Sequence, residues 1–375
     1  MNIAVNTRLL LKDKMEGIGR FTFEILKRLT VNHPEHHFFF LFDRPYNEEF
    51  IFSDNITPII IGLPARHPIL FYLWFEFSVA SALKSIKADL FISPDGYLSL
   101  RSKVPQLAVI HDLNFEEYPE HYPWLIKKYY HYFFPRFARK ATRIVTVSEF
   151  SKKDISTRYK INPELIDVVY NDANSDFKPL SPELIKEVRN KYSNGKPYFL
   201  FIGSIQPRKN IKNLMLAFDE FRKQSTVEIK LILAGSRRWW SEELEMRYQS
   251  LAYKTDVIFT GRVNDTDLSQ LMASAAALTY IPFFEGFGIP ILEAFASGVP
   301  VISSNTTSIP EVAQAAALLV DPIDINGIAE AMAKVVSDDQ LRNELVAAGF
   351  QRRKGFSWDE SAEKMGEIIE KMLCT

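Results

Sequence analysis

Cysteine is almost missing. Cys374 is the single one in 375 residues, which rules out an internal disulfide framework and any zinc site built on several thiolates. An excess of charge is missing too. The 45 Lys and Arg stand against 46 Asp and Glu, and a formal net charge of -1 argues against a nucleic-acid binder, which is usually basic overall. No stretch reaches the ~18 uncharged apolar residues that a membrane-spanning helix needs. The longest candidate, Pro68 to Ala82, is too short and carries Glu76. The first residues, Met1 to Lys14, lack a basic region before an apolar stretch and lack a small-residue cleavage site. They read as a strand, so the mature protein is expected to begin at Met1 and to be cytoplasmic.

Several catalytic signatures are also absent. There is no HExxH, no GxSxG elbow and no Walker A loop. The dinucleotide fingerprint is incomplete, because Thr22 stands where the third glycine after Gly17 and Gly19 would be. This lowers the case for a nicotinamide-dependent dehydrogenase. The triplet Asp265–Thr266–Asp267 has the DxD form, but it reads as a helix start with Asp265 as the N-cap. The histidines His33, His36, His37, His67, His121 and His131 fall in loops or helices without paired metal spacing. No metal and no cofactor is expected.

What is present is an alternation of strands and helices. Short β-rich runs lie at Ile3 to Val5, Phe38 to Phe42, Ile59 to Ile61, Leu90 to Ile92, Leu107 to Ile110 and Ile144 to Val147. Others lie at Tyr198 to Ile202, Lys230 to Ala234, Val257 to Thr260, Ala277 to Ile281, Val299 to Ser303 and Ala317 to Val320. Helical patterns separate them, Tyr122 to Arg143 among them. Such alternation predicts an α/β protein of parallel, doubly wound sheets with right-handed crossovers. The length suits two domains at ~150 residues each. The prolines and polar run of Ser175 to Pro197 mark the boundary, giving residues 1–178 and 179–357. Ser357 and Glu360 have capping-box spacing before a final helix, Trp358 to Met372.

Ligands of such sheets bind at the carboxyl ends of strands, so the loops after strands carry the chemistry. In Glu285 to Pro300 (EGFGIPILEAFASGVP), Gly286 and Gly288 free the backbone and Pro290 suits a first helical turn. Amides at that helix start attract phosphate or a sugar hydroxyl. The plainer reading is a glycine turn before a buried helix, with Glu293 solvated. In Phe201 to Asn213 (FIGSIQPRKNIKN), a strand ends at Gly203 and Arg208–Lys209 precede a helix near Asn210. Two cations at a helix start oppose its dipole, so an anionic ligand such as a diphosphate explains them better than solvation does. Glu16 to Arg20 (EGIGR) is either a phosphate cradle or a plain turn. His111–Asp112 follows a strand, and His111 is either a partner of a sugar hydroxyl or structural.

Taken together, EGFGIPILEAFASGVPVI with Glu285 and Glu293 eight apart, GSIQPRKN, EGIGR, VIHDL, VSEFSKKDI and FSWDESAEKM resemble the family-four retaining glycosyltransferases of the GT-B fold. The resemblance covers nearly the whole chain. It implies two Rossmann-like domains facing a central cleft, with a C-terminal helix (358–375) crossing back to the N-terminal, acceptor-binding domain. It implies that Arg208 and Lys209 hold the donor diphosphate and that Glu285 contacts the donor sugar. It further implies that Gly286, Phe287 and Gly288 present backbone to sugar and phosphate. Glu293 would take the ribose hydroxyls, Arg262–Val263 the base, and Gly203 would belong to the same donor site. Gly17 and Gly19 would line the cleft, and His111 would lie near the anomeric carbon or acceptor. Two departures stand out: Glu16–Gly17 replaces a common double glycine, and Asn171–Asp172 replaces Asn-Gly. The implied reaction is metal-independent transfer of a hexose from a nucleotide-diphosphate sugar, with GDP-mannose favoured over UDP-sugars, to a saccharide or lipid-linked acceptor. A non-catalytic nucleotide-sugar-binding module is the alternative from another class.

Aromatics make up 13% of the chain, with 29 Phe. From His121 to Lys160, ten basic residues face only Glu149 and Asp154, amid Tyr122, Trp124, Tyr129, Tyr130, Tyr132, Phe133, Phe134 and Phe137. A core with a solvated basic face is the plainer reading. Contact with an anionic membrane surface is the functional one, placing the protein peripherally at the inner face of the membrane.

Overall fold

The computed structural model describes every residue except Asp13, Lys14, Glu16, Leu63, Arg238 and Thr375. The chain divides into two compact units, Met1–Asn171 with Phe356–Thr375, and Asp172–Gly355. Both are α/β units, each built on one parallel sheet.

The first unit holds β1 (Asn2–Asn6), β2 (His37–Phe42), β3 (Ile56–Ile60), β4 (Leu90–Ser93), β5 (Gln106–Val109), β6 (Arg143–Thr146) and β7 (Ile166–Val168), in the order β3-β2-β1-β4-β5-β6-β7. The second holds β8 (Tyr198–Ile202), β9 (Lys230–Ala234), β10 (Val257–Gly261), β11 (Ala277–Tyr280), β12 (Val301–Ser304) and β13 (Leu318–Val320), in the order β10-β9-β8-β11-β12-β13. Central strands such as β8 are apolar along their whole length because helices cover both faces, and all five residues of β8 are buried.

Three expectations need correction. The stretch Ser175 to Pro197, expected to mark the boundary, contains a helix, Pro182–Ser193, and lies within the second unit. Pro182 occupies its first turn, where a missing N–H costs nothing, and the Ser181 side chain accepts from the Leu184 amide as N-cap. The two units instead meet in sequence at Asn171 and Asp172. The EGIGR segment is not a loop: a helix starts at Gly17 and runs to Asn32, and Glu16 lies outside the described residues. Gly19 is needed there for close approach, because a Cβ would stand 2.8 Å from the Leu9 carbonyl oxygen. The N-cap of the DxD helix is Asn264, not Asp265; Asn264 accepts from the Asp267 amide, and Asp267 pairs with Lys191 at 2.9 Å.

The final helix, Trp358–Leu373, begins at the expected Ser357 cap and belongs to the first unit. There it packs on Gly17–Asn32, with Arg28 bridging to Asp359 at 2.5 Å. The aromatic excess sits largely in the core of this unit. Tyr97 lies 5.3 Å from Phe75 and 5.2 Å from Phe134, and Tyr129 and Phe137 are buried beside them. Among the described residues, no helix is long and apolar enough to cross a membrane.

Candidate functional site

Each sheet reverses its direction of winding once, between β1 and β4 and between β8 and β11. A crevice opens outside the strand ends at such points, and ligands of open α/β sheets bind there. Of the residues that the sequence singled out in the second unit, Arg208, Lys209 and Glu285 meet at its reversal point, whereas Arg262 and Val263 follow the edge strand β10.

β8 ends at Ile202, and after Gly203 the chain forms a short turn, Pro207–Lys209, that carries the two cations. Asn210 has a left-handed φ of 61° and starts the helix Ile211–Gln224. Its side-chain amide donates to the Ile281 carbonyl at 3.1 Å and the Pro322 carbonyl at 2.6 Å. The Phe283 amide donates to the Arg208 carbonyl at 2.9 Å. These bonds fasten the loop after β8 to the loop after β11. As a result, Arg208 Nη1 reaches Glu285 Oε2 at 2.9 Å and the Phe284 carbonyl at 3.1 Å, while Lys209 Nζ donates to the same carboxylate oxygen. Tyr280, the last residue of β11, donates to Glu285 Oε2 at 2.7 Å and accepts from Lys209. Tyr280 is a site residue that the sequence reading missed; its signal was its place at the end of a strand.

Burial alone would raise the Glu285 pKa, but Lys209 and Arg208 beside it hold the carboxyl at about 2. Burial, and then the neighbouring Glu285 charge, push the Tyr280 hydroxyl well above its usual value. At neutral pH the cluster therefore brings two cations, the Glu285 carboxylate and a neutral phenol together at the strand ends, with the Glu293 charge also acting on Tyr280. That arrangement attracts an anion and can stabilise one that departs.

The loop after Glu285 is braced from behind. Ser308 Oγ lies 2.8 Å from the Glu285 carbonyl and 3.1 Å from that of Phe287. Gly288, with φ 104°, turns the chain into the helix Ile289–Ala296, where Pro290 sits in the first turn. Gly286 and Phe287 are buried, and half-buried Glu293 lies within this helix, whereas Glu285 is in the loop before it. Arg262 is exposed and Val263 half-buried just past β10.

The first unit presents a different cluster at its reversal point. Arg8 Nε donates to Asp95 Oδ2 at 2.6 Å, and Asn6 donates to Asp95 Oδ1 at 2.8 Å. The guanidinium stands 4.5 Å from the Tyr97 ring centre and 5.0 Å from that of Phe71. Burial opposes the Arg8 charge, yet Asp95 more than offsets it and raises the pKa. Neither residue was singled out from sequence, because they lie far apart in the chain. His111 follows β5 as expected. Its Nε2 lies 2.9 Å from the Pro94 carbonyl, which can only accept, so that nitrogen carries the hydrogen and Nδ1 keeps the lone pair. Burial lowers its pKa, against the Pro94 carbonyl and the charges of Asp112 and Asp95. Gly17 is exposed at the start of its helix and Gly19 is buried two residues on.

One expectation about metals also changes. His33 and His36, read as lacking metal spacing, lie together with Glu35 and Glu370, their ligand atoms all within 4.8 Å of one another. The histidines are three residues apart, and that HxxH spacing was the available signal.

Comparisons with known proteins show the family. The family model described as "Glycosyltransferase Family 4" matches residues 15–176, and "Glycosyl transferases group 1" matches residues 184–352. O-antigen chain mannosyltransferase B of Escherichia coli is 30% identical over 360 residues, which is 93% of this chain and 94% of that protein. Among solved structures, sucrose-phosphate synthase from Thermosynechococcus elongatus superposes with a TM-score of 0.79 at 17% identity, covering 100% of this chain and 99% of that one. HepE of Anabaena in complex with UDP-glucose gives 0.77 at 18% identity, covering 99% and 100%. The fold is GT-B and the protein is a glycosyltransferase. The chain belongs to the family-four glycosyltransferases.

Proposed function

We propose that this enzyme transfers a mannosyl residue, with retention of configuration, from GDP-mannose to a saccharide or lipid-linked saccharide during polysaccharide synthesis. The observation that carries this reading is the convergence of Arg208, Lys209 and Glu285 at the reversal point of the second sheet. Residues 172–355 hold the donor in this reading, and the first unit receives the acceptor. Arg208 gives a bidentate fork and Lys209 a point charge to the diphosphate. Glu285, the first carboxylate of the E-x7-E pattern, meets the donor sugar, and the backbone of Gly286, Phe287 and Gly288 approaches sugar and phosphate. Gly203 leaves room beside them. Glu293 takes the ribose hydroxyls, with Arg262 and Val263 beside the base. Gly17, Gly19 and His111 serve from the first unit.

The glycosyl carbon–oxygen bond to the diphosphate breaks and a bond to the acceptor oxygen forms on the same face. The acceptor proton passes to the departing phosphate oxygen. Arg208 and Lys209 stabilise the negative charge that develops there, so no metal is required. The mannosyl preference draws support from the Escherichia coli mannosyltransferase that this chain resembles over nearly its full length. A UDP-sugar donor is the second reading, favoured by the likeness to HepE bound to UDP-glucose.

A peripheral position at an anionic membrane is part of the proposal. Trp124 and Tyr132 are 67% and 53% exposed, with Lys128 and Arg136 over their rings, and Ile69, Tyr72 and Phe77 are exposed as well. Against it, some of the basic residues are already neutralised, Arg143 by Asp167 and Arg158 by Glu117 and Asp154. Failure to bind anionic liposomes at low salt would remove this part alone.

The test of the whole is a panel of nucleotide sugars, scored by thermal shift and by release of nucleoside diphosphate. GDP-mannose is expected to give the largest response. Indifference to every nucleotide sugar would sink the reading.

A further inference from the structure

We propose that His33, Glu35, His36 and Glu370 form a binding site for a divalent cation of the zinc class, which clamps the C-terminal helix to the end of the helix Gly17–Asn32. The four ligand atoms come from two places distant in sequence. His33, Glu35 and His36 lie in the turn between Gly17–Asn32 and β2, while Glu370 lies in the last turn of Trp358–Leu373. His33 Nδ1 is 3.0 Å from Glu35 Oε1 and 3.8 Å from Glu370 Oε1. His36 Nε2 is 2.5 Å from Glu370 Oε1 and 3.8 Å from Glu35 Oε1. A tetrahedral ion with bonds of about 2.1 Å separates its ligand atoms by roughly 3.4 Å. The observed distances lie on both sides of that value, so small side-chain rotations complete the shell.

The site is built rather than accidental. The two imidazoles stack with ring centres 5.7 Å apart and planes within 4°. The Asn55 side-chain amide lies 3.1 Å from the His33 carbonyl, 3.1 Å from that of His36 and 3.0 Å from that of Thr30, which holds the turn in place. His36 is only 7% exposed, and Gly366 leaves room for His33, since a Cβ there would stand 2.5 Å from His33 Nε2. The exposed Glu35 side provides an entry path. Two imidazoles with two carboxylates suit zinc better than magnesium or calcium, which prefer all-oxygen shells. The carboxylates also lie close enough to repel each other, and a bound dication removes that repulsion.

The test uses the full chain, stripped with a chelator and desalted. Titration calorimetry with zinc chloride should give one saturable site per chain and a rise in melting temperature. Cobalt(II) should give the visible absorption of a tetrahedral complex, and magnesium at the same concentration should do neither. The double variant Glu35→Gln, Glu370→Gln alters one exposed and one half-buried side chain and keeps their shape. It should bind zinc at least ~10-fold more weakly, with an unchanged circular dichroism spectrum. His33→Ala, at a position 23% exposed on its side chain, should weaken zinc in the same way. Absence of saturable binding by the wild type, equal affinity in the variants, or an equal response to magnesium would each overturn the proposal. In those cases the four residues serve only as imidazole–carboxylate hydrogen bonds between the helices.

Discussion

The two sheets share one winding pattern, yet their reversal points hold opposite kinds of polar cluster. In the first unit, one arginine faces one aspartate, and aromatic rings wall the pair in. Its charge is cancelled and its hydrogen bonds are satisfied internally. In the second, two cations from adjacent residues share a single carboxylate oxygen. A buried one-to-one pair is a device for holding loops together. Two adjacent cations at strand ends suit an anionic ligand, the Arg as a fork and the Lys as a point charge. Fold alone does not distinguish the two points; the side chains placed there do.

The largest effect expected from breaking this contrast is on turnover. Lys209→Ala removes a positioned donor and should lower kcat by about 10²–10³-fold, and Glu285→Ala should lower it at least as much. Initial rates with GDP-mannose check both, and full activity in both would refute the site assignment. Next comes Asp95→Asn in the first unit, which strands the buried Arg8 charge. It should cost about 3–5 kcal/mol of stability, read by denaturant unfolding, while the affinity for donor stays unchanged.

The third effect depends on pH. The Glu285 carboxyl falls from 4.5 to about 2 on folding. A depressed folded value means that its stabilisation is fully present above pH 4.5 and is lost as pH falls towards 2. At 1.36 kcal/mol per pH unit that is about 3 kcal/mol. The variant Glu285→Gln should flatten this part of the acid unfolding curve, and a curve parallel to wild type would show that the pairing contributes nothing. The smallest effect is expected at exposed Arg262. Arg262→Ala should raise KM for the donor by roughly two- to tenfold with kcat unchanged, the pattern of lost uniform binding.

Much of this was legible in the sequence. β8 and β9 were bounded to the residue, because interior parallel strands are near-continuous apolar runs. Edge strand β7 escaped, being three residues long with Asp167 in its middle. The helical stretch from Pro68 to Ser85, interrupted by a π-helical turn at Trp74–Val79, escaped because its run is apolar on every side and shows no clear period. Pro182 misled as a breaker because only the preceding Ser181 reveals it as a helix start. Arg208, Lys209 and Glu285 were singled out because each lies in a loop after a strand, and the structure brings the three side chains together. Arg8 with Asp95 was not found, because the two lie far apart in sequence, and His33 and His36 were passed over because their HxxH spacing gains meaning only once distant Glu370 stands beside it.

The most direct measurement is calorimetric titration of GDP-mannose into the wild type and into Arg208→Ala, Lys209→Ala at low salt. One site per chain in the wild type, and its loss in a double variant that still folds, is the expected result. Equal affinity in the two proteins would contradict the placement of the diphosphate at the reversal point of the second sheet.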